Sequence, residues 1–250
     1  MRGNPTQGIQ YLIRGIQLMR VPKLMVFILI PLAINMIVFG SLIGWAISYL
    51  NALVPEWIQS LPAWMSFIEW IIWPLLVLLF GLLSGYLFTT VTLMIASPFN
   101  SLLAEKVEEH YTGQEVEGFE TMSAALMAVP MSIMRELRKL AYYLPMAILV
   151  FICTWIPLVN FAVPFLWFLL GAWMMSLQFL DYPLDNHRQS FKAVIEFAGQ
   201  ERLTTMGFGG SVALCVSIPI LNLIIVPAAV AGATLLYCDQ QAGGSPRLQS

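Results

Sequence analysis

The stretch LMVFILIPLAINMIVFGSLIGWAISYLNALVP, residues 24–55, contains no charged side chain, and neither does the stretch from Trp70 to Ser101. Each is longer than the roughly 20 apolar residues that carry a helix across the hydrocarbon of a bilayer. Together they predict two transmembrane helices, over 24–50 and 70–98. At 1.5 Å of rise per residue each helix would be about 40 Å long, so it must tilt or protrude. Trp45, Tyr49, Trp57, Trp64, Trp70 and Trp73 gather around the connection between them. Such a cluster marks a membrane–water interface, where amphipathic rings settle.

Composition agrees with that reading along the rest of the chain. Of 250 residues, 59% are hydrophobic and only 10% charged, where a soluble domain carries about a quarter. A water-soluble fold, a disulfide scaffold, a disordered tail and a nucleic-acid binder are excluded. The expected architecture is an all-α integral membrane protein with residues 1–250 forming a single membrane domain. Cys153, Cys215 and Cys238 lie in or beside apolar runs without metal-ligand spacing and read as small hydrophobes. Neither a metal nor a cofactor is implied.

Charge position predicts orientation. Arg2, Arg14, Arg20 and Lys23 precede the first span, and residues 51–69 hold no Lys or Arg. Lys106, Arg135, Arg138 and Lys139 lie within 99–141, and Arg188, Lys192 and Arg202 within 181–204. By the positive-inside rule both termini and both of these polar segments face the cytoplasm.

A repeat organises the last hundred residues. Cys153-Thr-Trp-Ile-Pro-Leu-Val-Asn160 parallels Cys215-Val-Ser-Ile-Pro-Ile-Leu-Asn222, each followed by a second proline, Pro164 or Pro227, and a Gly-Ala pair. With Pro-x-x-Asn as the turn, the units are helical hairpins over 144–180 and 206–238. The second copy's limbs would rise only about 18–20 Å, and both turns lack charge, so the hairpins are expected to be re-entrant. Broken backbone at membrane depth must line a cavity or be buried in protein, and it often marks a permeation path.

The polar segment 99–143 supplies the other candidate features. Ser101–Tyr111 reads as a short helix stopped at Thr112-Gly113. A second helix, about 120–143, sets Leu126, Ile133, Leu137, Leu140 and Leu144 against an arc bearing Arg135, Arg138 and Lys139. This is an amphipathic helix for the cytoplasmic interface, able to meet anionic headgroups or to attract an anion. Arg135 and Arg138, three apart, are candidate ligands for a tetrahedral oxyanion, with Arg20 and Lys23 beside them and Glu105 as an ion-pair partner. Asn35, Asn100, Asn160 and Asn222 are candidate polar groups along a path, or interhelical hydrogen-bonding groups. Gly40-xxx-Gly44 and Gly81-xxx-Gly85 offer small faces for helix packing. No nucleotide loop, HExxH, GxSxG or GxGxxG is present, so no enzyme is indicated.

The strings Ser97-Pro-Phe-Asn-Ser-Leu-Leu-Ala-Glu105, Arg135-Glu-Leu-Arg-Lys-Leu-Ala-Tyr-Tyr-Leu-Pro145, Gln178-Phe-Leu-Asp-Tyr-Pro-Leu-Asp-Asn-His187 and Ile218-Pro-Ile-Leu-Asn222 closely resemble the CysZ family of bacterial sulfate permeases, over essentially the whole chain. The resemblance implies an inner-membrane protein that admits sulfate for assimilation into cysteine without an ATP-driven partner. It also implies two long membrane helices with hemi-penetrating hairpins, and assembly into homo-oligomers. Sulfite, thiosulfate and selenate present similar oxygens and are further candidate substrates, and the lipid bilayer is the other partner. The family pattern carries an arginine pair after the proline before the first span; here Met25 and Val26 stand there, leaving Lys23 as the stretch's cation. A channel-like sulfate path is the leading expectation. A proton-coupled symporter and a non-conducting membrane scaffold are the alternatives.

Overall fold

The structure, a computed structural model, describes residues 2–59, 68–116 and 129–243. Among these residues the regular structure is helical: α1 (Pro5–Leu18), α2 (Pro22–Gln59), α3 (Ile68–Thr112), α4 (Val129–Cys153), α5 (Val163–Asn186), α6 (Phe191–Gln200), α7 (Arg202–Val216) and α8 (Pro219–Gln241). A 3-10 turn, Asn160–Ala162, leads into α5. The chain divides into two compact units, residues 1–28 with 98–250, and residues 29–97.

α2 and α3 run well past the spans expected from hydropathy. α2 has 38 residues and α3 has 45. The polar piece expected as a separate helix over Ser101–Tyr111 is instead the last part of α3, which runs on as helix through Pro98 to Thr112. There the chain turns with Gly113 at φ 71° and its N–H bonded to the Glu109 carbonyl, 2.9 Å away. This left-handed end is one that glycine adopts without steric cost. A methyl built on Gly40, Gly44 or Gly81 would meet open space. Among the described residues, then, these three glycines have no close-packed neighbour.

The first unit is built around α8. α1 packs along α7 and α8, and α5 along α7 and α8. The approach is backbone to backbone: a methyl at Gly8 would lie 2.0 Å from the Thr204 carbonyl oxygen, one at Gly15 2.0 Å from that of Ala228, and one at Gly209 1.9 Å from that of Ala172. Asn4 fixes the start of α1 by accepting from the Thr6 N–H at 3.0 Å, with Pro5 pre-set for the first turn. Leu12, Leu177, Leu180, Phe208, Val230 and Leu236 fill the core.

The hairpin repeat is present as two helix pairs with different turns. In the first copy the chain leaves helix after Cys153, passes Leu158 at φ 70°, and re-forms helix only at Val163. In the second, Ser217 and Ile218 alone make the turn and Pro219 already opens α8. Pro-x-x-Asn is thus not the turn there: Asn222 is helical, its N–H bonded to the Ile218 carbonyl at 3.0 Å. Pro227 also sits inside the helix, so α8 has 23 residues and is longer than expected. One described helical stretch, 160–186, is long and apolar enough to cross a membrane by length and composition.

α4 is one helix running through Pro145, joining the amphipathic segment to the first hairpin limb. Its described part is oriented with the apolar arc outward. Leu137, Leu140 and Leu144 are 52%, 53% and 50% exposed, while Lys139 is 5% exposed. Residues 120–128 of the expected helix lie outside the described residues.

Candidate functional site

Three groups of charged side chains occupy the polar ends of α1, α3, α4, α5 and α8 in the first unit. The deepest joins α4 to α5. Arg135 Nε donates to Asp181 Oδ1 at 2.7 Å, its Nη1 reaches Asp185, and Nη1 also donates to the Gln189 carbonyl at 2.9 Å. Nη2 lies 2.6 Å from the same Asp181 oxygen without the angle for a hydrogen bond. Lys139 Nζ sits 2.7 Å from Asp181 Oδ2 and 2.7 Å from Glu136 Oε1, and donates to Gln178 at 3.2 Å. Burial alone would lower the pKa of both cations, but the facing carboxylates outweigh it and raise both.

A second group fastens α1. Buried Asp239 accepts from Tyr11 Oη at 2.9 Å, from Tyr111 Oη at 2.6 Å and from Arg14 Nη1 at 3.2 Å. Arg14 also lies over the rings of Tyr11 and Tyr111. Burial first, then the Asp239 carboxylate, push the Tyr11 hydroxyl well above its usual range.

The third group lies along the last turns of α3. Lys106 Nζ is 3.0 Å from Glu105 Oε1 and donates to Glu109 Oε1 and Oε2 at 2.9 and 2.8 Å. One turn away, His187 Nε2 and Glu108 Oε1 are 2.8 Å apart. Burial raises the Glu108 pKa, against the pull of His187. Beside Lys106 opens a cleft of about 280 Å³ lined by Val21, Lys23, Leu24, Phe27, Lys106, Glu109 and His110.

The residues singled out from sequence are distributed among these places. Lys23 lines the cleft, and Arg20, exposed at the end of α1, precedes it by three residues. Arg135 is enclosed by carboxylates, while Arg138 is exposed and forms no ion pair with a described residue. Glu105 pairs with Lys106 rather than with an arginine. Asn100 is buried and donates to Tyr182 Oη at 3.2 Å. Asn160 and Asn222 are exposed near the two hairpin turns. Asn35 is helical within α2, and its side chain lies outside what is described. Among the described residues no group of His, Cys, Asp or Glu is placed to hold a metal ion.

Sequence reasoning missed Lys106, Lys139, Asp181 and Asp239 as members of these groups. Lys106 had a local signal, since Glu109 follows at i+3. Lys139 and Asp181 lie on different helices, and nothing local in either segment announces their pairing.

The family model described as Sulfate transporter CysZ/Etoposide-induced protein 2.4 matches residues 11–227. A protein of Pseudomonas fluorescens (strain Pf0-1) named Sulfate transporter CysZ is 43% identical over 234 residues, covering 94% of each chain. A protein of the same name from Vibrio cholerae serotype O1 (strain M66-2) is 41% identical over 238 residues, covering 95% of each. Another from Pseudomonas aeruginosa (strain LESB58) is 41% identical over 94% of this chain and 95% of its own. With the four quoted sequence strings, the helical hairpin repeat and matches that run nearly end to end, the chain belongs to the sulfate transporter CysZ/etoposide-induced protein 2.4 family.

Proposed function

We propose that this membrane protein mediates sulfate uptake across the bacterial inner membrane for assimilation into cysteine, by a channel-like path that needs no nucleotide hydrolysis. The observation that carries the reading is the near end-to-end similarity to relatives named as sulfate transporters. Its members act as transporters, not as enzymes, on that evidence.

The arrangement of charge supports it. A dianion leaving water needs compensating cations and N–H donors, because desolvating it in hydrocarbon is prohibitive. Lys23, Arg20 and Arg138 are placed to meet an anion from solution, since none is in an ion pair with a described carboxylate. Arg135, enclosed by Asp181 and Asp185, instead holds α4 against α5 and so positions Arg138. Both termini face the cytoplasm in this reading, on the charge bias of the polar segments.

The second hairpin is re-entrant in this reading for a revised reason. α7 has 15 residues and rises about 22 Å, short of the roughly 30 Å of hydrocarbon, so the tip at Ser217–Ile218 stays within the membrane. The longer limbs α5 and α8 end in polar residues, Asp181–Asn186 and Asp239–Gln241, which then project past the cytoplasmic boundary. Asn160 and Asn222 are exposed near the tips, which suits a path completed by further copies of the chain.

Labelled-sulfate uptake into liposomes holding the purified protein tests this. Uptake above empty liposomes, equal with and without an imposed pH gradient, is expected. A requirement for the gradient would replace the channel with a proton symporter, and no uptake in either condition would overturn the transport reading.

A further inference from the structure

We propose that Lys106 and Lys23 form a seat for the transported oxyanion in the cleft between the start of α2 and the end of α3, and that Glu109 is the built-in anion the substrate displaces. The proposal rests on the sulfate reading and adds two residues to it, Lys106 and Glu109.

The two carboxylates that hold Lys106 differ in their freedom. Glu105 is 5% exposed and its Oε2 is buried without a partner, so it is fixed in the protein. The Glu109 side chain is 24% exposed and that of Lys106 39%, and both line the cleft. Glu109 grips Lys106 with both oxygens, at 2.9 and 2.8 Å, presenting to the ammonium the two-oxygen edge that a tetrahedral oxyanion also presents. A solvent-facing pair of this kind contributes little to stability, so it exchanges readily for a better-charged partner. Lys23 on the facing side is in no ion pair with a described residue. The cleft, about 280 Å³, holds several waters at about 30 Å³ each, enough for an oxyanion that keeps part of its hydration.

When Glu109 swings away, a dianion meets two ammonium groups; when it swings back, the anion is expelled. Permeation needs a site favourable enough to enter and weak enough to leave. An internal carboxylate competing for the same lysine supplies the second condition. While the pair is formed, Glu109 and Glu105 outweigh burial and raise the pKa of Lys106.

The test is sulfate uptake by reconstituted full-length variants as a function of sulfate concentration, with sulfate-dependent melting in detergent as a second readout. Glu109→Gln should lower the half-saturating sulfate concentration several-fold and reduce the maximal rate, a split that simple loss of structure does not produce. Lys106→Gln should raise half-saturation about tenfold and abolish the thermal stabilisation by sulfate, and Lys106→Arg should restore both to within about twofold. Unchanged half-saturation in both Lys106→Gln and Glu109→Gln, or a rise in Glu109→Gln, overturns the seat while leaving sulfate transport standing. If the wild type moves no sulfate, the transport reading itself fails, and the seat with it. Should Lys106→Gln not fold, Glu109→Gln alone decides.

Discussion

The Asp181 and Lys106 clusters contain the same kinds of group and are built for opposite purposes. Around Asp181 two cations meet one carboxylate whose side chain is 6% exposed, and Asp185, Glu136 and Gln178 complete the shell. Around Lys106 two carboxylates meet one cation that is open to a cleft. The first is locked, because separating a buried pair leaves an uncompensated charge. The second is exchangeable on its Glu109 side, where water stands by to replace that carboxylate. Solvent access, and not residue type, decides which cations of this chain an anion can reach.

Asp181→Ala probes the locked cluster and should have the largest effect, a loss of about 3–5 kcal/mol measured as a fall in melting temperature or in folded yield. Pairing Asp181→Leu with Lys139→Met should recover much of it, since the stranded ammonium is then gone. Asp239→Ala comes next, at about 2–3 kcal/mol, because Tyr11 and Tyr111 lose their acceptor and Arg14 its counter-charge. Glu109→Gln should cost under about 1 kcal/mol of stability while altering transport, since Lys106 keeps Glu105 as its partner, and a large stability loss would erase the contrast between the clusters.

The smallest effect concerns pH. Burial raises the pKa of folded Glu108 above its ordinary 4.5, so the folded chain holds this proton more tightly than the unfolded one. Glu108 therefore contributes a gain in stability as pH falls through its raised value, complete below 4.5 and absent above the raised value. The difference in melting temperature between wild type and Glu108→Gln should shift in that direction on acidification. A flat difference across that window would show that His187 compensates for burial completely.

Much of the architecture was legible because hydrophobic runs and proline positions are local signals. The two long helices over the charge-free runs, the Gly113 stop and the two helix pairs of the repeat all followed from them. Turn position in the second hairpin did not, since Pro219 at the first position of a helix and Pro-x-x-Asn as a loop look alike in one copy of a repeat. The periodicity expected over about 120–143 set Leu137, Leu140 and Leu144 apart from Lys139, yet it grouped exposed Arg138 with buried Lys139 and left open which face looks outward. In water the leucines would turn in; here they turn out and the cations find carboxylates. Among the candidate site residues, Lys23 lines the described cleft, whereas Arg135 has partners on a helix 46 residues away.

The Tyr11–Asp239 bond joins residues 228 positions apart, and between them α1 rests on α8 through glycines that tolerate no side chain. α1 therefore completes its packing only once α8 has been synthesised. At a translation rate of about 5–20 residues per second, the apolar and tyrosine-bearing face of α1 waits roughly ten to fifty seconds for its partner. During that interval the nascent chain must be shielded by the insertion machinery or by the lipid surface. Any ribosome that stops before Asp239 releases a product in which α1 still has α7 to rest on but Tyr11, Arg14 and Tyr111 lack the carboxylate they share.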